Sequence, residues 1–389
     1  MIDLAELARD PYPIYARLRE QEPVCWVPEL NMYLVTRFDD VTAILHDVEH
    51  FIVGTEHSTV FDTFGEHMMT VEGGLHERYK KAHQPFFSPQ TIRKQLESQI
   101  RTHSNALIDG FEQAGEVELR AAFASRLPVL TMLSLFGLDA EEEGLLREWY
   151  DSFEKALSNF TWDQGVRATG KQNAANFMAL VHSYLEVLRA EPESNGSLLG
   201  SLLRAPLGER LSDSEICRNA LIIFFGGIST VDALILNTLF ALSKHPEASE
   251  RVRADHGLLP QSINETVRWL GPVQSATRHV ALETELHGVR FNKGDTVNCM
   301  LAAANHDPSV FKDPERFDID RENVQRQVGF AVGPHHCLGS RLARTEARIA
   351  VEQLLSRLPD FALDPGRVEG PFGYEFRQPR SAVATWRRN

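Results

Sequence analysis

Apolar positions along this chain recur mostly at helical intervals and alternate only in a few short stretches. From about Thr91 to Arg189 they follow the three-to-four-residue period of helices with one buried face, as in Leu127, Val129, Leu130, Leu133 and Leu135. A short helix is predicted over Pro13 to Arg19, followed by a hairpin with strands Val24 to Val27 and Met32 to Thr36 around Glu29-Leu30-Asn31. Ser212-Asp213-Ser214-Glu215 has capping-box spacing, and nothing breaks the pattern after it until His245-Pro246. That predicts one helix of about 30 residues, roughly 45 Å long, apolar nearly all round its middle and therefore threaded through a core. Pro260 opens the next helix and Gly271-Pro272 closes it. Val289 to Phe291 and Thr296 to Met300, joined by Asn292-Lys293-Gly294-Asp295, read as paired strands, and an amphipathic helix runs from Leu338 to Leu358. Glu193-Ser194-Asn195-Gly196-Ser197 is a loop signal, too short to mark a domain boundary. The expectation is a mainly α chain with small β-sheets, forming a single domain over residues 1–389.

Composition narrows the class. The 389 residues are 43% hydrophobic and 24% charged, which is globular rather than disordered. A formal charge of -14 argues against nucleic acid as the main partner, since phosphate binding needs an excess of cations. The most apolar run, Leu221 to Leu236, is too short to span a bilayer comfortably and carries Asp232, so no membrane association is expected. Met1 to Arg9 lacks the basic-then-apolar order of a signal peptide. Cys25, Cys217, Cys299 and Cys337 are scattered without a Cys-x-x-Cys, against a disulfide framework or a structural zinc site. A cytoplasmic setting is expected.

One cysteine stands in a context with chemical meaning. In Gly329-Phe330-Ala331-Val332-Gly333-Pro334-His335-His336-Cys337-Leu338-Gly339, glycine and proline impose a turn and Cys337 follows at a helix entrance. Backbone N–H groups and the helix dipole there favour thiolate over thiol, and an anionic sulfur is a strong donor to a soft or borderline metal. Gly339 lets the backbone approach that sulfur closely. A free cysteine is more often a small buried hydrophobe, and adjacent His335, His336 and Cys337 point different ways, so zinc is a poor alternative.

The segment matches F-x-x-G-x-x-x-C-x-G at Phe330, Gly333, Cys337 and Gly339, and here the chain closely resembles the cytochrome P-450 family. The resemblance runs from Pro11 onward and implies that family's single-domain fold, with a long central helix over a heme whose iron Cys337 ligates. Glu265 and Arg268 match its E-x-x-R pair, a structural element completed by a cation from Pro314-Glu315-Arg316-Phe317; Arg316 is the expected third member, with Arg321 the alternative. Arg278 and His335 match ligands of the heme propionates, as do His76 and Lys80 in His76-Glu77-Arg78-Tyr79-Lys80, where lysine replaces the family's arginine and loses its bidentate geometry. Gly226-Gly227-Ile228-Ser229-Thr230 matches the place where the long helix distorts above the heme. Two glycines in a helix interior cost about 1 kcal/mol each against alanine, a cost that close approach of a flat ligand explains. Thr230 matches the alcohol that helps deliver protons to oxygen. The family's usual acid before it is Ser229 here, which relays a proton through water but is no acid near neutral pH.

The implied activity is a heme-thiolate monooxygenase that inserts one atom of O2 into a C–H bond, by hydroxylation or O-demethylation, of a small to medium apolar organic substrate. Heme b is the implied cofactor, and NAD(P)H enters only indirectly, since the chain carries no flavin, nicotinamide or iron–sulfur motif. By motif register Ile222, Phe225, Val273 and Ala276 line the substrate pocket, joined by Phe61 and Phe64 with Met68, and by Phe372 in the stretch to Phe376. Electrons are expected from a ferredoxin or flavodoxin with its reductase, docked on Arg341, Arg344 and Arg348 or on Arg78, Lys80 and Lys81. Rival readings are a peroxygenase, disfavoured by Thr230, and a heme-binding sensor or carrier without turnover.

Overall fold

The computed structural model describes residues 2–54, 58–159, 161–190 and 196–388; the loop expected at Glu193-Ser194-Asn195 lies outside them. Helices dominate and the strands form small sheets. The chain divides into two compact units, each assembled from separated stretches of sequence: Met1–Ile52, Arg101–Leu127 and Thr230–Asn389 in the first, Val53–Ile100 and Pro128–Ser229 in the second.

The first unit holds the main sheet, five strands in the spatial order Val24–Val27, Met32–Val35, Thr296–Cys299, Ala276–Val280 and Phe51–Ile52. The hairpin forms as expected, with Asn31 supplying the left-handed residue at φ 53°. Val35, Val41, Leu45, Phe291, Val297, Cys299 and Phe311 close a core against the sheet, and burying each such side chain stabilises by about 1.5–3 kcal/mol. One expected pairing is wrong. Val289–Phe291 pairs with Thr284–Leu286, while Thr296–Cys299 lies between Met32–Val35 and Ala276–Val280. His287 and Gly288, both at positive φ, make the tight hairpin turn that the first pairing needs. The Asn292–Asp295 loop instead turns the chain aside: Asp295 accepts from Asn292 N (2.8 Å) and Gly294 N donates to Val280 O (2.8 Å).

The second unit is helical, built chiefly from Gly73–His83, Glu143–Leu157, Gln164–Ala190 and Asp213–Gly226. Ser212 and Glu215 form the predicted capping box. The single helix expected from Ser212 to Lys244 is instead two, Asp213–Gly226 and Ser229–Lys244, separated at Gly227 and Ile228. The hydrogen bonding supplies the reason. Gly227 N bonds to Ile223 O and Phe224 O, and Ser229 N donates to the Tyr150 hydroxyl (3.2 Å). Over Asp213–Lys244 the most apolar window is 78% buried, as in a core helix, which answers its length and hydropathy without a membrane.

Candidate functional site

Of the four cysteines, Cys25, Cys217 and Cys299 are buried and Cys337 is exposed. Burial pushes the Cys25 and Cys217 thiols up to about 11 and that of Cys299 to about 12, so these three stay protonated and inert. Cys337 is held by a turn of defined geometry. Cys337 N donates to Phe330 O (3.0 Å), His336 N to Gly333 O (3.0 Å), and Ser340 N to Cys337 O (3.4 Å) at the start of Ser340–Arg357. Gly333 is required twice over: its φ is +75°, and a Cβ there would lie 2.5 Å from Leu45 O. Gly339 differs, because a Cβ there would meet no protein atom within 4 Å. The protein's own packing does not demand glycine at 339; a flat group lying against the cysteine loop would.

Arg344, one turn into the same helix, lays its guanidinium 4.2 Å from the centroid of the Phe330 ring and donates to Asn264 Oδ1 (2.7 Å) and Ser340 O (3.0 Å). Burial lowers its pKa, and the negative charge of Cys337 acts in the opposite direction. Arg278 is buried in the Ala276–Val280 strand, opposite Val297, with Nη1 donating to Thr277 O (2.9 Å). A buried guanidinium calls for anionic acceptors, which carboxylates of a bound group would supply. His335 is half-buried two residues before the cysteine. In chemistry and spacing the residues present fit a heme: an exposed thiol on a glycine-lined loop, with a buried cation on the same unit.

Below that loop the E-x-x-R pair is sealed from solvent. Arg268 Nε and Nη2 grip Glu265 Oε2 (2.8 Å) and Oε1 (2.7 Å), with both side chains 0% exposed. The expected third member, Arg316, is corrected to Arg321. Arg321 Nε reaches Glu265 Oε1 and Oε2 (3.1 and 3.2 Å), whereas Arg316 is exposed and offers only its carbonyl, to Arg268 and Arg321. Arg321 wins because its Nη1 and Nη2 also cap the carbonyls of Lys312, Asp313 and Arg316, so one buried side chain ties the segment together.

In the second unit His76 is buried and Lys80 half-buried on one face of Gly73–His83, while Arg78 turns away to Glu215 (2.6 Å). The two glycines of the interrupted helix are not equivalent. A Cβ at Gly226 would meet nothing within 4 Å, as ligand approach requires, but one at Gly227 would lie 2.7 Å from Met132 Sδ. Packing against Met132 is thus by itself a reason for glycine at 227. Ser229 is buried and Thr230 partly so. In the first unit, Asp232 is buried and paired with Arg120 Nε (3.1 Å), an acid within a turn of Thr230 that the sequence left without a role.

The expected pocket residues separate. Ile222, Phe225 and Phe64 are buried; Phe64 packs on Phe153 and Phe225 at 5.2 and 5.6 Å, and Phe225 stacks on Tyr150 at 5.5 Å. Met68 is buried and its N donates to Asn219 Oδ1 (2.9 Å). Phe61 is 37% exposed, outside that aromatic group. Val273 and Ala276 are half-buried, and Val273 bridges to Phe376. Phe372 is 36% exposed beneath the guanidinium of Arg380 at 3.7 Å. The expected basic docking faces are largely neutralised: Arg344 turns inward, Arg348 pairs with Glu352 (3.0 Å), Arg78 with Glu215 and Lys81 with Glu209 (3.1 Å), leaving Arg341 exposed.

Sequence reasoning missed Tyr150 and Asn219, whose roles come from contacts distant in sequence, and His67, whose ring is fixed by the local amide of Met69. A tyrosine in an apolar helical face was their one faint signal.

Residues 166–369 match the family model described as Cytochrome P450. The chain is 33% identical to the cytochrome P450 monooxygenase PikC of Streptomyces venezuelae, over 98% of this chain and 92% of that one. Its fold superposes on the crystal structure of CalO2 with a TM-score of 0.89, 28% identity and coverage of 99% and 98% of the two chains. The same TM-score relates it to P450BioI in complex with a hexadec-9Z-enoic acid-ligated acyl carrier protein, at 26% identity over 98% of this chain and 99% of that one.

Proposed function

This chain belongs to the cytochrome P450 family, and on that footing we propose that it hydroxylates or O-demethylates a small to medium apolar organic molecule, using heme b, O2 and electrons from a separate ferredoxin or flavodoxin system. Residues 1–389 act as one catalytic domain in the cytoplasm. The observation that carries the reading is the placement of Cys337, exposed on a turn built by Gly333 and opened by Gly339.

Bound heme would supply reductive activation of dioxygen, one atom of which enters the C–H bond while the other leaves as water with two electrons and two protons. Cys337 Sγ holds the iron as thiolate, favoured by the N-terminus of Ser340–Arg357 and by the Arg344 charge. Phe330, Gly333 and Gly339 shape the loop that carries it. Arg278 and His335 in the first unit bind the propionates. Glu265, Arg268 and Arg321 keep the segment under the cysteine loop rigid. Gly226 admits the cofactor face. Ser229 Oγ and Thr230 Oγ1 pass protons by way of water, the serine being the point where this chain departs from an acidic relay. Ile222, Phe225 and Phe64 in the second unit receive the substrate and exclude water.

Reconstitution with a ferredoxin, its reductase and NADPH tests this. Label from 18O2 should enter product in step with nicotinamide oxidation. Equal turnover driven by peroxide without reductase would replace the reading with a peroxygenase.

A further inference from the structure

The turn His67–Thr70 is held by a closed set of hydrogen bonds. Thr70 N donates to His67 O (2.8 Å), His67 N to Thr70 Oγ1 (2.9 Å), and Thr70 Oγ1 to Gly65 O (3.1 Å). Asn219 pins its centre: Asn219 Oδ1 accepts from Met68 N, and Asn219 Nδ2 donates to Glu215 O (2.8 Å) on the Asp213–Gly226 helix. The His67 ring is equally fixed. Met69 N donates to His67 Nδ1 (3.2 Å), so Nδ1 carries the lone pair and the proton of the neutral ring sits on Nε2. His67 is 0% exposed, and Nε2 has no hydrogen-bond partner among the described residues. Burial, with a smaller contribution from the Arg218 charge, lowers the His67 pKa to about 3, so the ring is neutral across the physiological range.

A buried donor without an acceptor costs about 1–3 kcal/mol, and a turn that fixes one so firmly needs a reason. The ring lies 6.2 Å from Phe64, which opens the aromatic row Phe64, Phe225, Tyr150. These are apolar groups without acceptors to offer, apart from the tyrosine hydroxyl already taken by Ser229 N. The arrangement is a pre-set polar point at the end of an apolar wall, the usual design of a small-molecule site. We propose that His67 Nε2–H is a substrate-reading donor, and that the substrate is an uncharged lipophile bearing a carbonyl oxygen placed against Phe64 and Phe225. The proposal rests on the monooxygenase reading. A neutral imidazole offers a dipole rather than a charge, which selects a carbonyl over a carboxylate.

The holoprotein should be titrated with a shape-matched pair, 4-phenylcyclohexanone and phenylcyclohexane, by calorimetry and by the heme absorption band. Wild type should bind the ketone about five- to ten-fold more tightly than the hydrocarbon. His67→Phe should erase that preference without weakening the hydrocarbon, and His67→Gln, which keeps a donor, should restore some of it. A ketone preference that persists in His67→Phe, or that is absent from wild type, overturns the proposal. So does tighter binding of 4-phenylcyclohexanecarboxylate than of the ketone. The calorimetric preference is independent of the heme band, so loss of the band alone would count against the monooxygenase reading and not against the donor.

Discussion

Arg344 lies over Phe330 at 4.2 Å, so the helix that follows Cys337 reaches back to clamp the residue that opens its loop. The stack and the bond to Asn264 make Arg344 a member of the cysteine scaffold rather than a docking charge. Arg344→Leu should lower stability by about 1–3 kcal/mol and speed heme loss to apomyoglobin, while leaving the salt dependence of reduction unchanged. Thermal unfolding and a heme-transfer assay check the first two; a flattened salt profile would return Arg344 to the docking face.

Arg321 and Arg316 give a sharper contrast. Removing one partner from a buried ion pair leaves an uncompensated charge, so Arg321→Met should cost about 3–5 kcal/mol. Arg316→Met should fall within about 0.5 kcal/mol of wild type, because its side chain is exposed and its carbonyl survives substitution. Urea melts of the two variants distinguish them.

That contrast also marks what the sequence could reveal. The Cys337 loop, the E-x-x-R pair, the capping box at Ser212 and the hairpin at Asn31 are local patterns, each set by turn chemistry or by helical spacing. The choice of Arg321 over Arg316 turned on which side chain reaches three carbonyls across a loop, which spacing does not encode. The break after Gly226 was half legible. The glycines announced it, but the Tyr150 hydroxyl that takes the Ser229 amide lies 79 residues away in sequence. Likewise, strand Thr296–Cys299 found its partners among distant segments rather than in the preceding strand.

Tyr150→Phe should therefore act on the helix break. Losing the acceptor for Ser229 N should destabilise by about 1 kcal/mol and speed hydrogen exchange at the Ser229 amide. Exchange mass spectrometry over residues 225–232 reads this directly; unchanged protection there would show that the break is held by other contacts.

Glu215 and His83, together with the buried His67, contribute to the acid limb of stability. Burial acts to raise the Glu215 pKa, but hydrogen bonds from Arg78 and Ser212 prevail and hold it at about 2, below its ordinary 4.5. Its contribution is complete above about pH 4.5 and is lost as pH falls toward 2. Burial holds His83 at about 4 instead of 6.5, with Nδ1 donating to Tyr79 O (2.7 Å). The unfolded chain then binds a proton that the folded one refuses, so stability falls from about pH 6.5 to 4. Glu215→Gln should shrink the loss between pH 4.5 and 2, and His83→Leu the loss between 6.5 and 4, in unfolding curves taken at each pH.

The carbon monoxide spectrum of the reduced, heme-loaded protein bears most directly on the role of Cys337. Wild type should show the red-shifted band of a thiolate-bound ferrous heme, and Cys337→Ala should lose it while the Cys25, Cys217 and Cys299 alanine variants keep it. A red-shifted band that survives in Cys337→Ala would contradict the account.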